Sequence, residues 1–120
     1  ESPNEILLLG STCDVVGIDE AQFFDESIVD VANQLANAGI RVVIAGLDMD
    51  FMGRPFGPMP NLMATAEYVT KVHAICKRTG NLANHSMRTS ENTDLVQLGE
   101  TDSYEAVSRK VFNEEMSKRK

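Results

Sequence analysis

Apolar and polar residues follow two rhythms along this chain. Residues 6–9 are apolar and precede Gly10, the pattern of a helix end. Residues 14–18 are short and β-branched (Val15, Val16, Ile18), which predicts a buried strand. In residues 27–38 the apolar positions Ile28, Val31, Ala32, Leu35 and Ala38 fall at helical spacing, with Gly39 as terminator. Residues 40–47 are almost continuously apolar, which predicts a second strand covered on both faces. Strand, helix and strand in that order make a βαβ unit with parallel strands. Asp19 and Asp48 then follow the carboxyl ends of their strands, the edge of an open α/β sheet where ligands bind.

The second half is less regular. Residues 48–60 form a Gly/Pro-rich loop that carries three of the four prolines. A short helix is predicted over residues 61–68, a strand over 69–76, a turn over 77–81 and a returning strand over 82–88. Residues 88–93 are polar, 95–98 read as a brief strand, and a helix is predicted from Tyr104. Residues 113–120 are mostly charged and read as a solvated tail.

The composition is that of a globular domain, 42% hydrophobic and 24% charged. No apolar run approaches the roughly 20 residues that span a bilayer, so no membrane partner is expected. The net charge of −7 disfavours non-specific binding to nucleic acid. Two cysteines, Cys13 and Cys76, make no disulfide framework and fit reduced thiols in a cytoplasmic protein. The chain lacks an initiator methionine and turns apolar almost at once, which reads as a piece of a longer polypeptide.

An apolar strand ending in Asp19-Glu20 has a direct chemical use. One carboxylate can hold Mg2+ against the phosphates of a nucleotide, and its neighbour can orient or deprotonate the attacking group. The bland alternative is two acids opening a surface turn. Asp19-Glu20-Ala21-Gln22 also fits the DExx box of helicase-type ATPases. Such motors need further motifs that the remaining residues do not carry.

The continuation separates these readings. Ile18-Asp19-Glu20-Ala21-Gln22-Phe23-Phe24, Ala45-Gly46-Leu47-Asp48-Met49-Asp50-Phe51 and Arg54-Pro55-Phe56-Gly57-Pro58-Met59-Pro60 closely resemble the type II, or cellular-type, thymidine kinases. So do Ala66-Glu67-Tyr68-Val69-Thr70-Lys71 and Leu98-Gly99-Glu100-Thr101-Asp102-Ser103-Tyr104-Glu105. The resemblance spans residues 1–112. It implies a P-loop NTPase (RecA-like) α/β core with a parallel sheet over residues 1–68. It implies next a small hairpin and lasso subdomain, zinc-ribbon-like, over residues 69–112, with the charged tail after it.

The resemblance also implies roles. The family transfers the γ-phosphoryl group of ATP to the 5′-hydroxyl of thymidine, a nucleotide-salvage step that feeds DNA synthesis. Glu20 matches the catalytic base and Asp19 the magnesium-side acid. Asp19, Glu20, Ala21 and Gln22 match the segment lining the ATP phosphates. Phe23 and Phe51 match rings that wall the thymine, and Leu47 a further wall. For a lone Phe such as Phe24 or Phe56, core packing is the plainer reading. Tyr104 matches a tyrosine on the deoxyribose. Leu95, Val96, Gln97, Leu98 and Gly99 match a lasso that reads the base with main-chain groups. Ser86 stands where the family often has Thr, near the base. Arg88 matches an arginine that holds the lasso or phosphates, with a solvated side chain as the alternative. The resemblance further implies a cytoplasmic homotetramer inhibited by dTTP.

Two departures matter. The phosphate-binding pattern G-x-x-x-x-G-K-[ST] does not occur in these 120 residues, so this stretch alone is expected to be inactive. Most of the family bind zinc through four cysteines. Here Cys76, Thr79, Ser108 and Val111 occupy those positions, and one thiolate cannot hold zinc tetrahedrally. No zinc is expected, and Cys76 is read as a small buried hydrophobe. A mixed site using His73 or His85 is the less favoured option. The second functional class is a truncated or non-catalytic relative acting as a nucleoside-binding or interaction module. Such a module has no use for a paired acid, so Asp19 and Glu20 favour the enzyme.

Overall fold

A computed structural model of the chain describes residues 2–88 and 104–118 as a mixed α/β protein with a small parallel sheet. It divides into two compact units, Glu1–Asp48 with Pro55–Val69, and Met49–Arg54 with Thr70–Lys120.

The first unit opens with helix α1, Pro3–Gly10. Its start is written in Ser2-Pro3-Asn4-Glu5. The Ser2 hydroxyl accepts the Glu5 N–H at 3.3 Å, and Pro3 occupies a first-turn position that needs no N–H. Strand β1 (Val15–Ile18), helix α2 (Ser27–Asn37) and strand β2 (Arg41–Ile44) then form the expected βαβ unit. The strands run parallel, from Val15 opposite Arg41 to Ile18 opposite Ile44. Ile28, Val31, Ala32 and Leu35 are the buried face of α2, as their spacing predicts.

The second strand is shorter and less covered than predicted. Ile40 belongs to the helix end, donating its N–H to Leu35 at 3.1 Å. Beyond Ile44 the chain leaves the ladder and wraps the β1 end: Ala45 donates to Ile18 at 2.8 Å and accepts from Ala21 at 3.0 Å. Val16, Ile18, Val42 and Ile44 join the core clusters beneath the helices. Val15 and Val43 point the other way and stay 56% and 50% exposed. The apolar run therefore reflects apolar residues on both faces, of which only one is covered by described residues.

Helix α3 spans Met59–Thr65 instead of residues 61–68. Pro60 is accommodated in the first turn, where the missing N–H costs nothing. At the far end the Thr65 hydroxyl donates to the Asn61 carbonyl at 3.1 Å, and Ala66 is extended. The Asn61 side chain donates to Glu26 at 2.7 Å and ties α3 to the start of α2.

The second unit departs further from the sequence pattern. The strand predicted over 69–76 reduces to β3, Ala74–Ile75, and Tyr68 and Val72 are exposed. The return strand is interrupted at Asn84. Strand β4, Leu82–Ala83, pairs antiparallel with β3, while β5, His85–Arg88, pairs antiparallel with β6, Tyr104–Val107. The helix predicted from Tyr104 therefore begins only at α4, Arg109–Lys118. Strand pairing with β5 overrides helix propensity there. Ser108 makes the break, its hydroxyl accepting the Val111 N–H at 3.4 Å as an N-cap does. The charged stretch after Asn113 continues this helix to Lys118. Arg78 binds Glu115 at 3.5 Å and Glu105 at 3.3 Å, pinning α4 and β6 to the 77–81 turn. Cys76, Ala83, Met87, Val107, Val111 and Phe112 form this unit's core. The strand expected over residues 95–98 lies outside the described residues. Among the described residues, no helix is long and apolar enough to cross a membrane.

Candidate functional site

In the first unit the acid pair follows directly from β1. Asp19 folds its carboxylate back to accept the Glu20 N–H at 2.8 Å. Glu20 lies in the left-handed region, φ 53° and ψ 44°, the one non-glycine described residue with positive φ. A side chain held there costs about 1–3 kcal/mol and persists only when neighbours fix it. The fixing contacts are on the next residues. Ala21 and Gln22 open a 3-10 turn, Ala21–Phe23, and both are buried. Gln22 is only 3% exposed. Its Nε2 donates to Glu20 Oε2 at 2.7 Å, and its Oε1 accepts the Leu47 N–H at 3.0 Å. The Leu47 amide can only donate, which settles which end of the Gln22 amide faces Glu20.

Asp19, Glu20, Phe23 and Phe24 line one open recess of about 290 Å3. Phe23 is 73% exposed and meets Phe56 edge-on, ring centres 5.6 Å apart. Phe24 packs against the core, as the plain reading of a lone Phe anticipates. Leu47 is half exposed, its backbone tied to Gln22. Thus four of the expected residues, Asp19, Glu20, Phe23 and Leu47, are accessible, while Ala21 and Gln22 lie beneath them. Asp19 offers hard carboxylate oxygens at the mouth of an open recess, a donor type that suits Mg2+.

A second group forms in the other unit. Asp50 accepts the N–H groups of Met52 and Arg54 on one carboxylate oxygen, at 2.9 and 3.1 Å. Its own N–H donates to the Arg54 carbonyl at 2.9 Å. Gly53 takes φ 76° to close this turn. The turn presents Phe51 to Tyr104, ring centres 6.5 Å apart. Arg88 and Tyr104 are direct partners across β5 and β6, and Ser86 follows on the same face opposite Ala106. The Arg88 guanidinium reaches both rings. Phe51, Ser86, Arg88 and Tyr104 are thus brought to one side of the second unit. The alternative of a freely solvated Arg88 does not hold, since its Nε is buried. Leu95, Val96, Gln97, Leu98 and Gly99 lie outside the described residues.

Cys76, Thr79, Ser108 and Val111, which the resemblance matches to zinc cysteines, also come together in the second unit. Cys76 is 2% exposed. Burial pushes its thiol up, but the Thr79 hydroxyl and the N–H groups of Ser108, Arg78 and Thr79 outweigh it and bring it down to about 6. Ser108 turns its hydroxyl to Val111. A hydroxyl pair and a valine beside one thiol do not fit a tetrahedral zinc donor set, and the turn is closed through the Cys76 backbone, whose N–H donates to Asn81 at 2.7 Å and whose carbonyl accepts from Gly80 at 2.9 Å. His85 is engaged elsewhere, stacked on Phe112 at 4.4 Å and beside the Asn84 oxygen at 2.7 Å.

The sequence pattern did not announce Gln22 as a bridge or Arg88 as a stacked cation. The first depends on Leu47, 25 residues away, and the second on the β5–β6 register.

Residues 4–112 match the family model described as thymidine kinase. The chain is 60% identical over 112 residues to a thymidine kinase of Bacteroides thetaiotaomicron, covering 93% of this chain and 56% of that protein. It is 57% identical over 112 residues to one of Rhodothermus sp. (strain ITI 518), covering 93% and 53%. It is 50% identical over 109 residues to one of Bdellovibrio bacteriovorus, covering 91% and 53%. The chain therefore spans about half the length of the curated relatives it matches.

Proposed function

This chain belongs to the thymidine kinase family, and we propose that the protein containing it transfers the γ-phosphoryl group of ATP to the 5′-hydroxyl of thymidine. The products are dTMP and ADP. The observation that carries this reading is the acid pair at the carboxyl end of β1, lining a recess with Phe23.

A primary alcohol is a poor nucleophile, and phosphoryl transfer passes through a loose transition state. What the protein must supply is position and a proton acceptor. Glu20 is the acceptor: its carboxylate is exposed, anchored at one oxygen and fixed by its backbone. Asp19, one residue earlier, would hold Mg2+, which when bound with ATP supplies neutralisation of the phosphate charge. Phe23 offers apolar surface in the recess it lines with Glu20, and Leu47 is half exposed. Phe51 and Tyr104 form the ring pair for base and sugar, where stacking contributes roughly 1–3 kcal/mol per base. Ser86 adds a hydroxyl on the Arg88 and Tyr104 face. The lasso of residues 95–99, inhibition by dTTP, a tetrameric assembly and a cytoplasmic location are expectations that rest on family membership alone.

The test is Glu20→Gln in the whole protein. It keeps the size and removes the proton acceptor. Turnover is expected to fall by about 10²–10⁴, with thymidine affinity by calorimetry retained within a fewfold. Undiminished turnover would overturn the reading, and so would a preferred phosphoryl acceptor that is not a nucleoside.

A further inference from the structure

We propose that Gln22 is the positioning residue for the Glu20 carboxylate, an inference that rests on Glu20 being the proton acceptor. Gln22 is buried and has two polar ends with distinct duties. Oε1 is pinned by the Leu47 N–H at 3.0 Å, just past the end of β2. Pinning Oε1 fixes the amide plane, and one of the two Nε2 hydrogens then meets Glu20 Oε2 at 2.7 Å. A hydrogen bond to an ionised oxygen is short and strong, and its donor cannot rotate away without stranding Leu47.

The clamp also accounts for the backbone at Glu20. Left alone, a glutamate leaves the left-handed region. Here the Ala21 N–H is held by Ala45 at 3.0 Å, the Glu20 N–H by Asp19 at 2.8 Å, and the side chain by Gln22. Three contacts fix one residue from three sides. Oε2 is committed to Gln22, which makes Oε1 the oxygen that takes the proton. Gln22 itself lies under the recess and does not line it, so it acts through Glu20.

The experiment is a double-mutant cycle in the whole protein. Gln22→Met has similar length but neither donates nor accepts. It is expected to lower kcat by roughly ten- to a hundredfold, with KM for thymidine and for ATP within about twofold. Glu20→Asp withdraws the carboxylate from Gln22 and lowers kcat on its own. In the Glu20→Asp background, Gln22→Met should add little, because the contact is already gone. A merely structural Gln22 would give losses that multiply. If Gln22→Met does not fold, Gln22→Asn replaces it, since the shorter side chain keeps a polar amide but draws the donor back from Glu20 Oε2. Multiplying losses, or an unimpaired Gln22→Met, overturn the clamp and leave Glu20 as the base. An unimpaired Glu20→Asp paired with an unimpaired Glu20→Gln overturns both.

Discussion

The guanidinium carbon of Arg88 lies 4.7 Å from the centre of the Phe51 ring and 5.9 Å from that of Tyr104. The cation thus braces two rings that come from a turn and a strand far apart in sequence. Its Nε is buried and has no hydrogen-bond partner among the described residues. A cation over an aromatic ring contributes about 0.5–1 kcal/mol at an exposed site and about 2 kcal/mol when desolvated. Arg88→Met keeps the length and removes the charge. Thymidine KM is expected to rise by about three- to thirtyfold, with kcat and ATP KM nearly unchanged. Steady-state kinetics with each substrate varied in turn checks this. A rise in ATP KM alone would assign Arg88 to the phosphates.

Glu20 holds a left-handed backbone, φ 53°, that suits glycine and penalises any side chain. The usual helix-interior order of alanine over glycine should therefore invert here. Glu20→Gly is expected to be more stable than Glu20→Ala by about 1 kcal/mol. Both lack the carboxylate and should be equally inactive. Urea titrations of the two variants measure the difference. An alanine variant as stable as the glycine one would show that the loop relaxes once the side chain is cut back.

What could be read from the sequence was whatever depended on neighbours within a few residues. The spacing of Ile28, Val31, Ala32 and Leu35 gave α2, and the β-branched run at Val15 and Val16 gave β1. Asp19-Glu20 at the strand end marked the acid pair. Tyr104 to Val107 failed as a helix because their partner is β5, a long-range pairing that no local pattern reports. The Ser108 cap was legible in principle, as a hydroxyl residue just before a helical run. Coverage of β2 failed for another reason: an apolar run states which residues are apolar and not what lies over them.

The thiol of Cys76 provides a pH signature of the turn that closes on it. Its folded value is lowered to about 6 against an ordinary 9.0. A depressed acid stabilises the fold above its unfolded value, and that stability is lost as pH falls through the folded value. Wild type should therefore gain stability relative to Cys76→Ala as pH rises from about 6 to about 9, and hold the gain above that. Thermal midpoints of the two proteins across this window check the sign. A gap that stays constant would mean that the thiol remains protonated in the fold.

Gly57 brings the Pro-rich loop against the 3-10 turn that follows the acid pair. Its φ is 51°, and a Cβ built there would come 2.6 Å from the Gln22 backbone carbonyl. Real carbon–oxygen contacts do not close that far, and the obstacle is main chain, which cannot swing aside as a flexible side chain can. Gly57→Ala must therefore push residues 55–58 away from the 3-10 turn, Ala21–Phe23, or unwind that turn. The left-handed penalty adds to the clash. A loss of about 3 kcal/mol is expected, read as a lower denaturation midpoint at unchanged slope. Because the displaced carbonyl belongs to Gln22, kcat should fall as well, even though Gly57 does not line the acid recess. A variant with native stability and native kcat would mean that the loop can move as a body, and that its contact with Gln22 does not position the acid pair.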